Sequence, residues 1–221
     1  MSLKESNASQ VLLLNNWIVR VRQPEARQSN KIFLMLHGYT GDENSMLVFM
    51  RNLPTDAWIF APRGPEPVAE GGYRWLAASN GLETSLSDFQ TPVQKINTAL
   101  SDWLKSFHIP DAPINIIGFS QGAALALAYT LTYPRMVKRA ACLAGFLPPD
   151  AIQLASSRPL EGIPIFISHG TQDTTVTYDR AQQTAAWLEQ LGAVITFCTS
   201  QTGHRISAAC FRAYTDFFRE P

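Results

Sequence analysis

An alternation of short apolar runs with longer segments of helical period constrains the fold most strongly. This pattern is typical of a mostly parallel sheet flanked by helices, the α/β class. The runs that we interpret as buried strands are 31–37, 57–61, 113–119, 139–146, 163–168 and 193–198. The earlier stretch 11–22 predicts one or two antiparallel strands at the edge of the same sheet.

Four segments with helical spacing lie between or after these strands. Residues 87–107 begin at a Ser-Asp pair suited to N-capping, and their apolar side chains recur with a helical period. The other predicted helices are 121–132, 177–191 and 205–219. The segment 62–86 is rich in Gly and Pro and has no periodicity, so we expect a long loop there, and such loops are often functional.

Composition predicts a single globular domain over residues 1–221. Hydrophobic residues make up 46% of the chain and charged residues 16%, which argues against a disordered protein and provides ample material for a core. The 18 basic and 18 acidic side chains cancel, and no basic stripe is present. We therefore expect no nucleic-acid partner.

The N-terminal region and the cysteines indicate the cellular compartment in which we expect the protein. The first ten residues are polar, and two asparagines interrupt the apolar run that follows, so we expect neither a secretory signal nor a membrane span. Cys142, Cys198 and Cys210 lie in apolar contexts, which favours small buried hydrophobes in a reducing compartment. These features predict a cytoplasmic protein without stable membrane association. The sequence allows a homodimer but gives no direct support for one.

The motif with the clearest chemical meaning is Gly-Phe-Ser-Gln-Gly at residues 118–122. It directly follows an apolar strand and opens an Ala-rich helix, which is the strand–turn–helix context of a nucleophile elbow. A serine on such a sharp turn has strained backbone angles, so its neighbours two positions away must lack side chains. The helix N-terminus also places positive dipole beside developing negative charge. Ser120 is therefore the predicted nucleophile.

A serine nucleophile needs a hydrogen-bonded base, and His204 is the predicted one. With an elbow of this kind the chain order is serine, acid, histidine, which excludes His37 and His108 because both precede Ser120. His169 lies on the wrong side of the best candidate acid. His204 stands in Gly-His-Arg on the loop between the last predicted strand and helix, with a solvent-facing capping histidine as the alternative.

The acid that orients the base should lie between Ser120 and His204. The candidates are Asp150, Glu161, Asp173, Asp179 and Glu189. Asp173 comes immediately after strand 163–168, where a carboxylate at the carboxyl end of the sheet can face an imidazole and fix its tautomer. Asp179 is the best alternative, although its place in a first helical turn is explained more simply by the helix dipole. We predict Asp173.

The oxyanion hole is expected to use two backbone N–H groups. One belongs to Gln121, the residue after the nucleophile, and the other comes from the loop that follows the first long strand. That loop reads Leu-His-Gly-Tyr-Thr-Gly at residues 36–41, with glycines that suit close approach of the backbone to a substrate. Tyr39 is the predicted second donor and Thr40 is the alternative.

The substrate pocket is expected to be open. Only about 17 residues separate Gly145 from the strand that begins at residue 163, which leaves no room for a helical lid domain. Loops should therefore supply the walls. Tyr73, Trp75 and Leu76 in the long 62–86 loop are candidates for substrate contacts, with core packing as the alternative for Trp75.

Taken together, the segments LHGYTGDE, GFSQGAALAL, HGTQD and GHR resemble the phospholipase/carboxylesterase family, which includes acyl-protein thioesterases and small bacterial carboxylesterases. The resemblance extends from about residue 31 to 215. It implies an α/β-hydrolase fold without a lid and an esterase with Ser120, Asp173 and His204 as catalytic residues. It also implies a small-molecule ester as substrate, with no metal and no organic cofactor.

Two segments depart from the acyl-protein thioesterase pattern. Those proteins resemble HGLGD after the first strand, where this chain has HGYTGDEN, and they carry Trp-Phe-Asp where it has GGYRWLAA. The departures favour the small bacterial carboxylesterases. Thioesterase, lysophospholipase and small-peptide hydrolase activities are alternatives on the same catalytic residues. A non-catalytic binding module is the alternative from another class, and the presence of all three residue types argues against it.

Overall fold

The chain forms a central sheet with helices on both faces. The computed structural model describes residues 9–25, 29–76 and 84–219. The strands are β1 (Gln10–Leu14), β2 (Trp17–Arg22), β3 (Lys31–Leu36), β4 (Ala57–Pro62), β5 (Glu66–Pro67), β6 (Tyr73–Arg74), β7 (Ile114–Phe119), β8 (Val137–Leu143), β9 (Pro164–Gly170) and β10 (Val194–Ser200). Each strand expected from the apolar runs is present, with its ends shifted by no more than about three residues.

In the described residues the main sheet has eight strands in the order β1-β2-β4-β3-β7-β8-β9-β10. Strands β1 and β2 form an antiparallel hairpin, and β2 pairs antiparallel with β4. The remaining pairings, from β4 through β10, are parallel. The carboxyl ends of β3, β7, β9 and β10 therefore point the same way, which brings the loops that follow them to one edge of the sheet.

Five α-helices accompany the sheet in the described residues. They are α1 (Leu47–Met50), α2 (Gln90–Ser106), α3 (Gln121–Thr132), α4 (Tyr178–Gln190) and α5 (Ala208–Arg219). Short 3-10 helices occupy Leu86–Phe89, Pro134–Met136 and Pro149–Ser157. The last predicted helix, 205–219, starts later than expected because residues 205–207 still belong to the loop that carries His204.

Three segments contain more regular structure than the sequence pattern indicated. Within the predicted loop 62–86, β5 and β6 form a two-stranded ribbon, while residues 77–83 lie outside the described residues. Helix α1 spans only four residues. Elements this short offer too few positions for a period to be recognised. The segment between β8 and β9 contains the 3-10 helix Pro149–Ser157.

The core has two parts because β3 and its neighbours are apolar on both faces. On β3, Ile32, Leu34 and Leu36 point into a cluster with α2 and α3, whereas Phe33 and Met35 point into a cluster with α1 and α5. This period of two explains why the strand reads as an unbroken apolar run. Helix α3 is buried along almost its whole length, which fixes the position of the turn before it.

The cysteines require a correction. Cys198 on β10 and Cys210 on α5 form a disulfide, with their Cα atoms 5.6 Å apart, whereas both were expected as separate thiols. Only Cys142 keeps a free thiol, and it is buried. The prediction failed because the packing of α5 against β10 brings together two residues whose spacing resembles no common disulfide motif. These cysteines therefore no longer support a reducing compartment.

Among the residues that the structure describes, no helix combines the length and the apolar character needed to cross a bilayer.

Candidate functional site

Ser120 sits on a sharp turn between β7 and α3. Its backbone angles are φ 52° and ψ −118°, a conformation that costs a non-glycine residue about 1–3 kcal/mol and needs support from its surroundings. The Ser120 N–H donates to Leu143 O at 2.9 Å on the neighbouring strand, and Ser120 O accepts from Ala123 N at 2.9 Å in the helix. Hydrogen bonds to β8 and to α3 therefore fix the turn on both sides.

Glycine is required on both sides of Ser120 for steric reasons. A Cβ at Gly118 would lie 2.1 Å from Gly122 O, and a Cβ at Gly122 would lie 2.2 Å from Leu36 O. These are backbone atoms that cannot turn aside as a flexible side chain could. The close contact of strand and helix expected from the motif is thus present. Gly38 also approaches the serine, because a Cβ there would lie 3.2 Å from Ser120 Cβ.

Asp173 and His204 are hydrogen bonded to each other. The His204 Nδ1–H donates to Asp173 Oδ2 at 2.7 Å, while Asp173 Oδ1 accepts from the N–H groups of Thr175 at 2.8 Å and Val176 at 3.0 Å. The aspartate side chain is fully buried and the histidine side chain is 23% exposed. With Nδ1 protonated, the Nε2 atom of His204 is left as the proton acceptor.

The loops that carry these two residues are packed side by side. They follow the parallel strands β9 and β10, and Gln172 N–H donates to Thr202 O at 3.0 Å between them. A Cβ at Gly170 would lie 2.1 Å from Thr202 O, so this contact depends on glycine. The ring of His204 also packs on Phe119, with centroids 5.1 Å apart, which brings the imidazole to the residue preceding Ser120.

His169 is a second buried histidine beside Asp173. Its Nε2–H donates to Val176 O at 2.8 Å and lies 3.4 Å from Asp173 Oδ2. Burial lowers the pKa of His169, and the hydrogen bond to Val176 and the charge of Asp173 only partly oppose this effect. The neutral ring therefore supports the acid loop. The sequence excluded His169 as the base but did not indicate this supporting contact.

The loop after β3 is fixed by His37, a residue whose role the sequence did not indicate. Its Nδ1–H donates to Gly38 O at 2.7 Å, and its Nε2 accepts the Gly64 N–H at 2.8 Å. The side chain is completely buried, and this burial lowers its pKa. Tyr39 and Thr40 follow at the tip, and in the part of the chain that the structure describes, neither backbone N–H has an acceptor.

An ion pair between Glu43 and Arg63 connects the loop after β3 to the segment after β4. Arg63 donates to Glu43 through Nε at 2.6 Å and Nη2 at 2.8 Å, and its Nη1 donates to Tyr73 Oη at 3.1 Å. The Tyr73 N–H donates to Gly41 O at 2.8 Å. Glu43 is only 3% exposed, which is unusual for a carboxylate. An acid inside HGYTGDEN and an arginine just after the next strand were the available signals for this pair.

The three residues predicted to contact substrate, Tyr73, Trp75 and Leu76, lie on β6 or directly after it. Trp75 and Leu76 are 2% and 5% exposed and belong to the main core, as the core-packing alternative for Trp75 anticipated. Trp75 donates through N–H to Gln121 Oε1 at 2.8 Å and through Nε1–H to His37 O at 2.7 Å. Tyr73 packs against the guanidinium of Arg63. These contacts give Trp75 and Tyr73 a supporting role around the candidate oxyanion loop, whereas Leu76 belongs to the core.

A cavity of about 480 Å³ opens beside Phe119, the residue before Ser120, and beside Gly38, which approaches the serine. Ser120 and His204 themselves are not among the residues that line it. The cavity volume lies within the range of small-molecule sites. The residues of its wall come from the loop after β3, from α1 and from the segment after His204. The apolar ones are Met46, Val48, Phe49, Phe119, Ile206 and Phe211. Tyr73, Trp75 and Leu76 are not among the residues that line this cavity, whereas Tyr39 and Thr40 are.

No cluster of three or more His, Cys, Asp or Glu side chains suited to hold a metal ion occurs within residues 9–25, 29–76 and 84–219.

Comparison with known proteins agrees with this architecture. The profile of the Phospholipase/Carboxylesterase family matches residues 16–220. The chain is 23% identical over 184 residues to the putative hydrolase MhqD of Bacillus subtilis, covering 83% of this chain and 90% of that one. It is 32% identical over 153 residues to acyl-protein thioesterase 1 of Debaryomyces hansenii, covering 65% and 66% of the two chains.

Solved structures with a similar fold include two bacterial carboxylesterases. The Bacillus cereus carboxylesterase superposes with a TM-score of 0.81 at 21% identity, covering 92% of this chain and 94% of that one. The carboxylesterase of Mesorhizobium loti gives 0.79 at 20% identity, covering 96% and 99%. The family match over nearly the whole sequence shows that the chain belongs to the phospholipase/carboxylesterase family of α/β-hydrolases and is a serine hydrolase.

Proposed function

We propose that this protein is a carboxylesterase in which Ser120, His204 and Asp173 act as nucleophile, base and orienting acid. The observation that carries the proposal is the 2.7 Å hydrogen bond from His204 Nδ1 to the buried Asp173, beside the strained turn of Ser120. This hydrogen bond commits the imidazole to the tautomer whose Nε2 can accept a proton. The arrangement therefore suits the activation of a serine hydroxyl.

In the proposed reaction, Ser120 Oγ attacks the ester carbonyl and its proton passes to His204 Nε2. The carbonyl π electrons move to oxygen, which gives a tetrahedral oxyanion. As the intermediate collapses, the bond to the alcohol oxygen breaks and that oxygen takes the proton from His204. Water then attacks the acyl-enzyme with the same proton transfers, which releases the acid and regenerates Ser120. Asp173 stabilises the imidazolium and stays ionised throughout.

The oxyanion is proposed to accept hydrogen bonds from the backbone N–H groups of Gln121 and Tyr39. Gln121 opens α3, whose N-terminus supplies positive dipole, and Tyr39 lies on the supported loop after β3. Thr40 is the alternative to Tyr39. Each donor of this kind contributes about 3–4 kcal/mol of transition-state stabilisation, because it points at the charge before that charge develops.

The proposed substrate is a small-molecule ester, and we propose no nucleic-acid partner and no stable membrane association. The largely apolar cavity beside Phe119 suits an aliphatic part of such a molecule. Thioester and lysophospholipid hydrolysis remain alternatives, because the same three residues perform acyl transfer to any of these leaving groups. Because the chain is similar to a protein named acyl-protein thioesterase 1, the test below includes thioesters.

The test is hydrolysis of p-nitrophenyl esters and matched thioesters from acetyl to palmitoyl. We expect ester turnover to fall at least about 10³-fold in Ser120→Ala and His204→Ala, because either change removes a step of the proton transfer. Val11→Ala, on an exposed edge strand, is the control and should keep wild-type activity. Undiminished turnover in Ser120→Ala, or no ester turnover by folded wild type, would overturn the proposal.

A further inference from the structure

The cavity beside Phe119 has an uneven distribution of charge. Six of its wall residues are apolar, and among the residues that line it Arg205 is the single charged one. Arg205 directly follows His204 in the chain, so its side chain stands at the same loop as the proposed base. The cavity therefore has a largely apolar wall and one cationic residue, which adjoins the proposed base in the sequence.

The guanidinium of Arg205 is available to a ligand. It lies on an exposed residue, and in the described part of the chain its side chain makes no hydrogen bond or ion pair. Two acids on the loop after β3, which lines part of the cavity, already have other partners. Glu43 is bound by Arg63, and Asp42 accepts from Asn44 and Ser45 within its own turn. In the described residues, Arg205 therefore forms no ion pair with either of these carboxylates.

We infer that the cavity selects esters whose aliphatic chain ends in a carboxylate, such as half-esters of dicarboxylic acids, and that Arg205 is the residue that recognises this carboxylate. The inference rests on the proposed esterase function and adds a substrate class to it. The chain packs on the apolar wall, while the guanidinium donates paired hydrogen bonds to the carboxylate, for which its planar geometry is suited.

A neutral chain gains only the apolar contacts. A chain that ends in a carboxylate gains the charge-assisted hydrogen bonds as well. We expect Arg205 to favour the anionic ester about tenfold in kcat/KM, which corresponds to about 1.4 kcal/mol. This preference should shrink as salt is added, because the pair lies near the surface and is screened.

The experiment compares anionic and neutral esters of matched length. One pair places the carboxylate on the acyl side, mono-p-nitrophenyl adipate against p-nitrophenyl hexanoate. The other places it on the alcohol side, 6-acetoxyhexanoate against hexyl acetate. The measured quantity is the anionic-to-neutral ratio of kcat/KM in wild type, Arg205→Gln and Arg205→Lys. Arg135→Gln removes the same charge from an exposed residue at the other end of the sheet and serves as the control.

We expect the ratio in at least one pair to fall about tenfold in Arg205→Gln, to be partly restored in Arg205→Lys, and to be unchanged in Arg135→Gln. A ratio that is the same in wild type and Arg205→Gln for both pairs, while neutral esters are still cleaved, would overturn this inference alone. If wild type cleaves none of the four esters, the proposed function fails and the inference fails with it.

Discussion

Arg63 holds the buried carboxylate of Glu43 through two hydrogen bonds, Nε to Oε2 at 2.6 Å and Nη2 to Oε1 at 2.8 Å. The pair connects the loop after β3, which carries the proposed oxyanion donor, to the segment after β4. The hydrogen bonds from Arg63 hold the pKa of Glu43 below its ordinary value. The carboxylate is therefore ionised at neutral pH, and its partner is only partly exposed.

Glu43→Gln should lower kcat about tenfold with little change in KM. The substitution keeps the shape of the side chain but removes the charge, so the loop loses its anchor and the Tyr39 N–H points less accurately at the oxyanion. Steady-state kinetics on a p-nitrophenyl ester measures this. Asp56→Asn, which breaks the exposed pair with Lys31, is the control and should leave kcat unchanged. An unaltered kcat in Glu43→Gln would contradict the role assigned to the pair.

Alanine at either glycine of the serine turn should strongly destabilise the folded protein. Because the new Cβ of Gly118→Ala or Gly122→Ala would lie about 2 Å from backbone oxygen, we expect each change to cost at least about 3 kcal/mol of unfolding free energy. Chemical denaturation measures the loss. Gly203→Ala is the matched control, since its Cβ would meet nothing closer than Gln172 O at 3.8 Å. Wild-type stability in both variants would contradict the described packing.

Reduction of the Cys198–Cys210 disulfide should destabilise the protein by about 3 kcal/mol, a fall in Tm of roughly 6–12 °C, because the bond closes the segment that carries His204. Thermal unfolding with and without dithiothreitol tests this. Cys198→Ser should start from the lower Tm and show no further fall on reduction.

Burial raises the pKa of the Cys142 thiol to about 12, so this thiol should react with Ellman's reagent only after denaturation. Three reactive thiols in the denatured but unreduced protein, instead of one, would show that the bond is absent.

Stability should decrease as the pH falls below about 6.5. Burial lowers the pKa of His37, so the unfolded chain binds a proton that the folded protein does not, and protons favour the unfolded state. The stabilisation is complete above the unfolded pKa and is lost as pH falls towards the folded one. A single histidine contributes at most about 1.4 kcal/mol per pH unit. In measurements of unfolding free energy against pH, His37→Gln should show a shallower slope than wild type between pH 5 and 6.5.

Much of the fold was accessible from the sequence because buried parallel strands have a strong local signature. The run KIFLML is apolar on both faces and could only be a buried strand or part of a buried helix, and its length decided between them. The turn at Ser120 was accessible for a similar reason, since the steric need for glycine at 118 and 122 is local. The order serine, acid, histidine along the chain also predicted the pairing of Asp173 with His204, which are hydrogen bonded to each other.

The features that the sequence did not indicate depend on contacts between segments that are far apart along the chain. The cavity wall combines the loop after β3 with residues after β10, and nothing local marks Met46 or Ile206 as neighbours. Trp75 was a candidate for substrate contact, yet its aromatic ring is buried and its indole N–H is satisfied by a backbone carbonyl. The Cys198–Cys210 pair likewise forms only through the packing of a helix on a strand.

The central claim, that Ser120 is a nucleophile activated by His204, is tested most directly by labelling with a fluorophosphonate followed by mass spectrometry of the peptides. We expect one adduct per chain on Ser120 in the folded wild type, none in Ser120→Ala, and much slower labelling in His204→Ala. Absence of the adduct in folded wild type, or labelling of another residue at the same rate in Ser120→Ala, would contradict the account.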